Sequence, residues 1–85
     1  MNREKALKKL LAGSKNIRFT ELTAVARAFG FEQARVRGSH HIFEHPAIPD
    51  ILNFQDCGGQ AKPYQVEQFL ALVEQYNLGM QETDA

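Results

Sequence analysis

Two adjacent histidines, His40 and His41, are the side chains of this sequence best suited to acid–base chemistry. They directly follow a Gly38-Ser39 pair, and a third histidine, His45, stands four residues further on. Imidazole changes its charge near neutral pH, so it can accept or donate a proton under physiological conditions. General acid–base catalysis of a bond cleavage needs one group to take a proton and another to give one. Because one histidine serves one role at a time, His41, His45 or a water molecule would supply the second.

Strand geometry divides these histidines between two faces. Residues 40–45 (HHIFEH) predict a strand, in which successive side chains point to opposite sides. His40 therefore shares a face with Glu44, and His41 shares the opposite face with Phe43. If Phe43 is buried, His40 lies on the open face, where the Glu44 carboxylate could orient its ring. The alternative is a histidine pair that is merely half-buried polar surface of a hairpin.

Cationic side chains flank the histidines. Arg35 and Arg37 alternate to one face of the preceding strand, and Lys62 begins a later helix, where backbone N–H groups favour phosphate. With Ser39 they predict an RNA-binding surface, although each charge alone could be simply solvated, and for Lys62 by itself solvation is the preferred interpretation. The chain as a whole is neutral, with ten Lys and Arg against ten Asp and Glu. Nine of the ten basic residues lie within residues 3–37, so the first half is cationic.

Composition excludes several classes of protein. The single cysteine, Cys57, cannot form an internal disulfide, and with three histidines it makes no convincing zinc site, so we expect no metal and no cofactor. No apolar run approaches the 20 or so residues of a membrane-spanning helix. Lys5, Lys8 and Lys9 interrupt the N-terminal leucine cluster and argue against a signal peptide. We therefore expect a cytoplasmic protein without membrane contact.

An amphipathic helix is predicted at the start of the chain. Residues 3–12 combine apolar side chains at helical spacing with lysines and arginine at the other positions. Gly13, Ser14 and Asn16 then supply turn-forming residues. We expect residues 1–16 to be an extension that either packs on the main domain or covers part of its functional face.

A second helix has clear signals at both ends. Thr20 is the expected N-cap, Glu21 lies in the first turn, and Gly30 stands just past the end. Its apolar side chains recur at helical spacing, so one face must pack on a core. These side chains are Leu22, Val25, Ala26 and Phe29.

Three strands and a last helix follow. The strands are predicted over residues 34–37, 40–45 and 51–55, with the Gly-Ser pair as a hairpin turn. Pro63 opens the last helix, whose apolar stripe is Val66, Phe69, Leu70 and Val73.

This order predicts an α+β fold in which a three-stranded antiparallel sheet packs on helices through one face and leaves the other face accessible. We expect residues 17–79 to form the main domain and residues 80–85 a frayed tail that follows a C-terminal cap at Asn77.

Residues 38–43 (GSHHIF), preceded by residues 28–31 (AFGF) and followed by His45-Pro46, resemble the signature of the HicA (YcfA-like) mRNA interferase toxins. The similarity covers roughly residues 19–78. It implies a fold similar to double-stranded-RNA-binding domains, translation-independent cleavage of mRNA by a metal-independent endoribonuclease, and a HicB-like antitoxin as partner.

In that family the histidine after the Gly-Ser pair is catalytic, which corresponds to His40 here. His41 matches the variable position after it, where some members place their histidine, and is the second catalytic candidate. The chain departs from the family in its neutral charge. Residues 50–62 also lack the usual Val-Pro-His run and the Gly-Thr opening of the final helix. The rival hypothesis is therefore a non-catalytic adaptor that binds RNA or another protein.

Overall fold

The computed structural model describes residues 3–80. Within this range, three helices and one three-stranded antiparallel sheet of order β1-β2-β3 confirm the predicted α+β, double-stranded-RNA-binding-domain-like fold. The elements are α1 (Arg3–Leu11), α2 (Phe19–Ala28), β1 (Glu32–Arg37), β2 (His40–Glu44), β3 (Ile51–Gln55) and α3 (Pro63–Gln75).

The start of α2 corrects one sequence prediction. Thr20 is not the N-cap, because the helix begins at Phe19 and Arg18 occupies the cap position. Instead, the Glu21 carboxylate accepts a hydrogen bond from the backbone N–H of Arg18 at 2.9 Å. It also forms an ion pair with Lys9 Nζ at 3.0 Å. The Arg18 N–H, with further help from the Lys9 ammonium, lowers the pKa of Glu21 below its usual value. The same carboxylate therefore caps α2 and ties it to α1.

Left-handed residues end both longer helices, as the sequence predicts. Gly30 takes φ +97° after α2, and the N–H of Phe31 donates to the carbonyl of Ala26 at 3.1 Å. Asn77 takes φ +51° directly after Tyr76, the C-cap residue of α3. Both ends belong to the Schellman type, which satisfies carbonyls that would otherwise lack a donor.

The sheet is built on a tight hairpin. Arg37 pairs with His40 across a two-residue turn, in which Gly38 takes φ +60° and Ser39 keeps a negative φ. That combination is typical of turns whose twist matches the strands on either side. A bulge between Gln33 and Arg35 shifts the pairing of β1 by one residue.

A single core fills the space between the sheet and the helices. Phe69 of α3 is fully buried, and its ring contacts those of Phe29, Phe31 and Phe54 at centroid distances of 5.6, 5.8 and 6.4 Å. The most buried residues of α3 differ from its predicted stripe, since Gln65 and Leu72 are buried while Leu70 and Val73 are only partly so. The other members of the core are Ala6, Leu10, Ile17, Phe19, Leu22, Val25, Ala26, Phe43, Ile48, Leu52, Ala61 and Val66.

The N-terminal helix packs on α2 and contributes Ala6 and Leu10 to this core. It therefore lies in the helical layer, behind the sheet, and not over the accessible sheet face. Of the predicted tail, residues 81–85 lie outside the described residues. The division of the chain at residue 16 stays a prediction.

A hydrogen bond between two side chains holds the C-terminal end of α3. The Tyr76 hydroxyl donates to the Asp50 carboxylate at 2.6 Å, which joins the end of α3 to the loop before β3. This hydrogen bond raises the pKa of Tyr76 above its ordinary value, because the carboxylate favours the protonated phenol.

Candidate functional site on the open sheet face

The sheet has one buried face and one accessible face. Phe43, Leu52 and Phe54 point into the core, and the residues between them along β2 and β3 point outward. This alternation places His40 on the accessible face and confirms the predicted separation of His40 from His41. A shallow depression on that face is lined by Arg35, Val36, Arg37, His40, Ile42 and Asn53.

The His40 ring is held by one hydrogen bond. Its Nδ1 lies 3.0 Å from Oδ1 of Asn53, which stands opposite Ile42 on the neighbouring strand β3. An amide oxygen can only accept, so Nδ1 carries the hydrogen and donates it. In the neutral ring Nε2 then keeps its lone pair, which makes it the basic atom of the site.

Glu44 does not orient the His40 ring, contrary to the prediction. It lies four residues along β2, roughly 13 Å away at the usual strand rise, and pairs with Glu32 and Ile51 at the far end of the sheet. Asn53 contacts the ring instead. The sequence did not identify Asn53, because only the strand register brings it beside His40.

Two arginines border the histidine. Arg37 is the direct cross-strand partner of His40, and Arg35 is that of Ile42, so both side chains start within about 4.5–5.5 Å of β2 at their Cβ atoms. Both are exposed. Lys9–Glu21 is the one ion pair within residues 3–80, so neither guanidinium is neutralised by a carboxylate there. The face around His40 therefore carries free positive charge.

His41 lies on the other side of the sheet. Its ring packs against Phe19 of α2, with centroids 4.7 Å apart, and its Nδ1 donates to Oε1 of Gln33 at 3.1 Å. The residue is half-buried. His41 therefore cannot act on the same bound group as His40 in this conformation.

His45 is held in the layer between sheet and helix. Its Nδ1 accepts from the Ala47 N–H at 3.0 Å, so its Nε2 donates to the Phe29 carbonyl at 3.0 Å. Its ring also meets Phe31 edge-on at 5.0 Å. Since both nitrogens have structural partners, His45 is not available as a second proton carrier beside His40.

A comparison with known families identifies the family of this chain. The family model described as HicA toxin of bacterial toxin–antitoxin systems matches residues 19–74, which run from the start of α2 almost to the end of α3. The chain belongs to the HicA toxin family. No curated protein and no solved structure matches it significantly. Membership of a toxin–antitoxin family implies an antitoxin as partner. None of the helices within residues 3–80 has the length and apolar character needed to cross a membrane.

In this HicA family member the hairpin turn is tied to α3. The Ser39 carbonyl accepts from the Asp56 N–H at 2.8 Å, and its hydroxyl accepts from Nε2 of Gln55 at 3.4 Å. The N–H of Gln55 donates in turn to the side chain of Gln65 at 2.8 Å. The buried Gln65, which the sequence did not single out, therefore fixes the end of β3 and positions the turn that precedes His40.

Lys62 does not lie on the sheet with the two arginines. It is the N-cap residue of α3, and its ammonium lies 5.8 Å from the ring centroid of Tyr64. Tyr64 is 52% exposed in the first turn of the same helix. Hydrogen bonds connect Ser39 to Gln55 and Gln55 to Gln65, which lies in the first turn of α3. These bonds link the turn before His40 to the end of α3 that carries Lys62.

Proposed function

We propose that this HicA family member is a cytoplasmic endoribonuclease that cleaves mRNA with His40 as general base. The observation that carries the proposal is the exposed, hydrogen-bonded imidazole of His40 beside Arg35 and Arg37, which form no ion pair within residues 3–80. A base close to two free guanidinium groups suits a phosphodiester, whose oxygens accept hydrogen bonds from arginine. A HicB-like antitoxin is the proposed neutralising partner.

The proposed reaction is attack of the RNA on itself. Nε2 of His40 accepts the proton of a 2′-hydroxyl, the 2′-oxygen bonds to the adjacent phosphorus, and the bond from phosphorus to the 5′-oxygen breaks. Water protonates the leaving 5′-oxygen, and the imidazolium returns its proton to the resulting hydroxide. Arg35 and Arg37 stabilise the negative charge that builds up on the phosphate oxygens. The products carry a 2′,3′-cyclic phosphate and a 5′-hydroxyl, and no metal ion takes part.

Two further residues have secondary parts in this proposal. Lys62, at the start of α3, holds a phosphate of the same RNA strand at a distance from the scissile bond. Ser39 keeps the turn in place through its contacts with Gln55 and Asp56 and offers its hydroxyl at the edge of the site. His41 has no part, because its ring is packed against Phe19.

The chemistry is tested with matched RNA substrates. We expect the protein to cleave a labelled single-stranded RNA and to leave an otherwise identical 2′-O-methyl RNA intact, because the methyl group removes the attacking hydroxyl. Mass spectrometry should find cyclic phosphate ends on the products, and addition of EDTA should leave the rate unchanged. Cleavage of the methylated strand, or 5′-phosphate products, would contradict the mechanism.

The arginine pair is tested by the salt dependence of RNA binding. For single strands, log K falls with log salt by about 0.7 per phosphate contacted, so the Arg35→Ala, Arg37→Ala double variant should reduce this slope by about 1.4. Binding is measured by fluorescence anisotropy on the uncleavable 2′-O-methyl RNA. A Lys8→Ala, Lys15→Ala variant loses the same charge from exposed positions outside the sheet and should keep the slope. Equal slopes for both double variants would place the RNA elsewhere.

A further inference from the structure

The hydrogen bond between His40 and Asn53 is the feature of the site that the family assignment leaves unexplained. Asn53 is exposed on β3. Within residues 3–80, its side-chain oxygen forms one hydrogen bond, with Nδ1 of His40 at 3.0 Å. The two residues are diagonal neighbours, since His40 pairs with Gln55 and Asn53 pairs with Ile42. An exposed asparagine in a strand has poor intrinsic propensity for that position, so its placement calls for a reason other than sheet formation.

We propose that Asn53 is a positioning residue that holds His40 in the tautomer with hydrogen on Nδ1, so that Nε2 is the base. This inference rests on the proposed ribonuclease function. A neutral imidazole has two tautomers, and the one present is set by the partner of the other nitrogen. Because the amide oxygen accepts and never donates, it selects the Nδ1–H form. The same contact fixes the rotation of the ring.

Geometry explains why this choice of nitrogen matters. Nδ1 is the ring nitrogen next to the Cβ attachment, whereas Nε2 lies at the outer end of the ring. With Nδ1 turned toward β3 and Asn53, Nε2 is the nitrogen left for a bound ribose. The opposite tautomer would put a hydrogen on Nε2 and leave it unable to accept the proton of the 2′-hydroxyl.

The contact also changes strength during the reaction. When Nε2 accepts the proton, the ring becomes a cation, and its Nδ1–H bond to the Asn53 oxygen becomes charge-assisted and stronger. Nδ1 keeps its hydrogen throughout, so no proton moves between His40 and Asn53. An interaction that strengthens as the ring gains charge stabilises the transition state more than the bound substrate. Loss of Asn53 should therefore lower kcat and leave KM nearly unchanged.

Among the outward-facing groups of the described sheet, Asn53 is the one whose oxygen accepts from Nδ1 of His40. The Gln55 side chain donates to the Ser39 hydroxyl, and Glu44 lies at the far end of β2. The two arginines of β1 can only donate, so they cannot accept from Nδ1. Removal of the Asn53 amide therefore takes away the acceptor that Nδ1 has in this structure.

The tautomer can be measured directly in the whole protein without RNA. Long-range ¹H–¹⁵N NMR spectra of wild type above the titration range of imidazole should show His40 with hydrogen on Nδ1. In Asn53→Ala the two nitrogen shifts should move toward each other or exchange places, while Asn53→Asp, which keeps an acceptor oxygen, should retain the wild-type pattern. A His40 pattern that is identical in wild type and Asn53→Ala would overturn the inference.

The matched control is Gln33→Ala. Gln33 holds His41 as Asn53 holds His40, but on the opposite side of the sheet. This variant should alter the ¹⁵N shifts of His41 and leave those of His40 unchanged, and the His41 signals in Asn53→Ala should report an intact fold. A change at His40 in Gln33→Ala as large as in Asn53→Ala would show general loosening of β2 and would contradict a specific role for Asn53.

Kinetics give the second readout. Loss of a group that orients a reacting side chain typically costs about 10–100-fold, so Asn53→Ala should lower kcat by that factor with KM within about twofold. Asn53→Asp should recover most of the rate. An unchanged kcat in Asn53→Ala would overturn the positioning role. A wild-type protein that cleaves no RNA would contradict the proposed function instead, and the NMR measurement would still decide whether Asn53 sets the tautomer.

Discussion

Replacing His40 by alanine should lower the rate of RNA cleavage by about 10²–10⁴-fold, the contribution typical of a positioned general base. His40 is exposed, and within residues 3–80 its ring makes one hydrogen bond, to Asn53, so its loss should change the free energy of unfolding by no more than about 0.5 kcal/mol. RNA binding should persist, because Arg35 and Arg37 remain. The measurement is single-turnover cleavage of a labelled RNA, with binding followed on its 2′-O-methyl counterpart.

His41→Ala is the control for this experiment. It removes the same side chain from the neighbouring position, but from a ring that packs against Phe19 behind the sheet. It should retain most of the cleavage rate and reduce stability more than His40→Ala does. If instead His41→Ala abolished cleavage and His40→Ala did not, His41 would be the base. If wild type neither cleaved RNA nor bound it in a salt-dependent way, the adaptor hypothesis would be preferred.

Replacing Phe69 by alanine should lower the free energy of unfolding by about 3–5 kcal/mol, the usual cost of truncating a buried phenylalanine. Phe69 is fully buried where α3 meets the sheet and the end of α2. Its ring lies against Phe29, Phe31 and Phe54, which cannot all collapse into the space that it leaves. Since small domains are stable by only about 5–15 kcal/mol, this single change removes a large part of the total.

Urea unfolding followed by circular dichroism measures this effect, with the slope of the transition compared between variants to check that unfolding stays two-state. Gln68→Ala, on the same helix but at an exposed position, should shift stability by no more than about 0.5 kcal/mol. Phe69→Leu should fall between the two, because it retains much of the buried volume. A loss below about 1 kcal/mol in Phe69→Ala would contradict the central place of this ring in the core.

Local sequence patterns predicted most of the architecture correctly. The apolar spacing of α2 identified Leu22, Val25 and Ala26, which are fully buried, and Gly30 marked the end of the helix. The alternation of β2 placed Phe43 inside and His40 outside. These predictions succeeded because helix and strand periodicity, together with glycine's freedom at positive φ, are set by neighbours in the chain.

The sequence was a poorer guide to the N-cap of α2 and to which residues of α3 are buried. Thr20 is of a residue type typical of N-caps, but Arg18 occupies that position. There the Glu21 carboxylate accepts a hydrogen bond from the Arg18 N–H and forms an ion pair with the Lys9 ammonium. Lys9 comes from another helix, so its contribution depends on how α1 packs. Gln65 lies outside the predicted apolar stripe, yet its side chain is buried where it accepts a hydrogen bond from the end of β3.

The sequence by itself determined the order of the elements, the accessible side of the sheet, the histidine on that side and the resemblance to the HicA family. The tertiary structure alone decided which groups touch that histidine: Asn53 and not Glu44, with His41 and His45 held elsewhere. The physical reason is that periodicity fixes the direction of a side chain within its own strand. Its neighbours depend on the register between strands and on the packing of distant helices, which no local pattern contains.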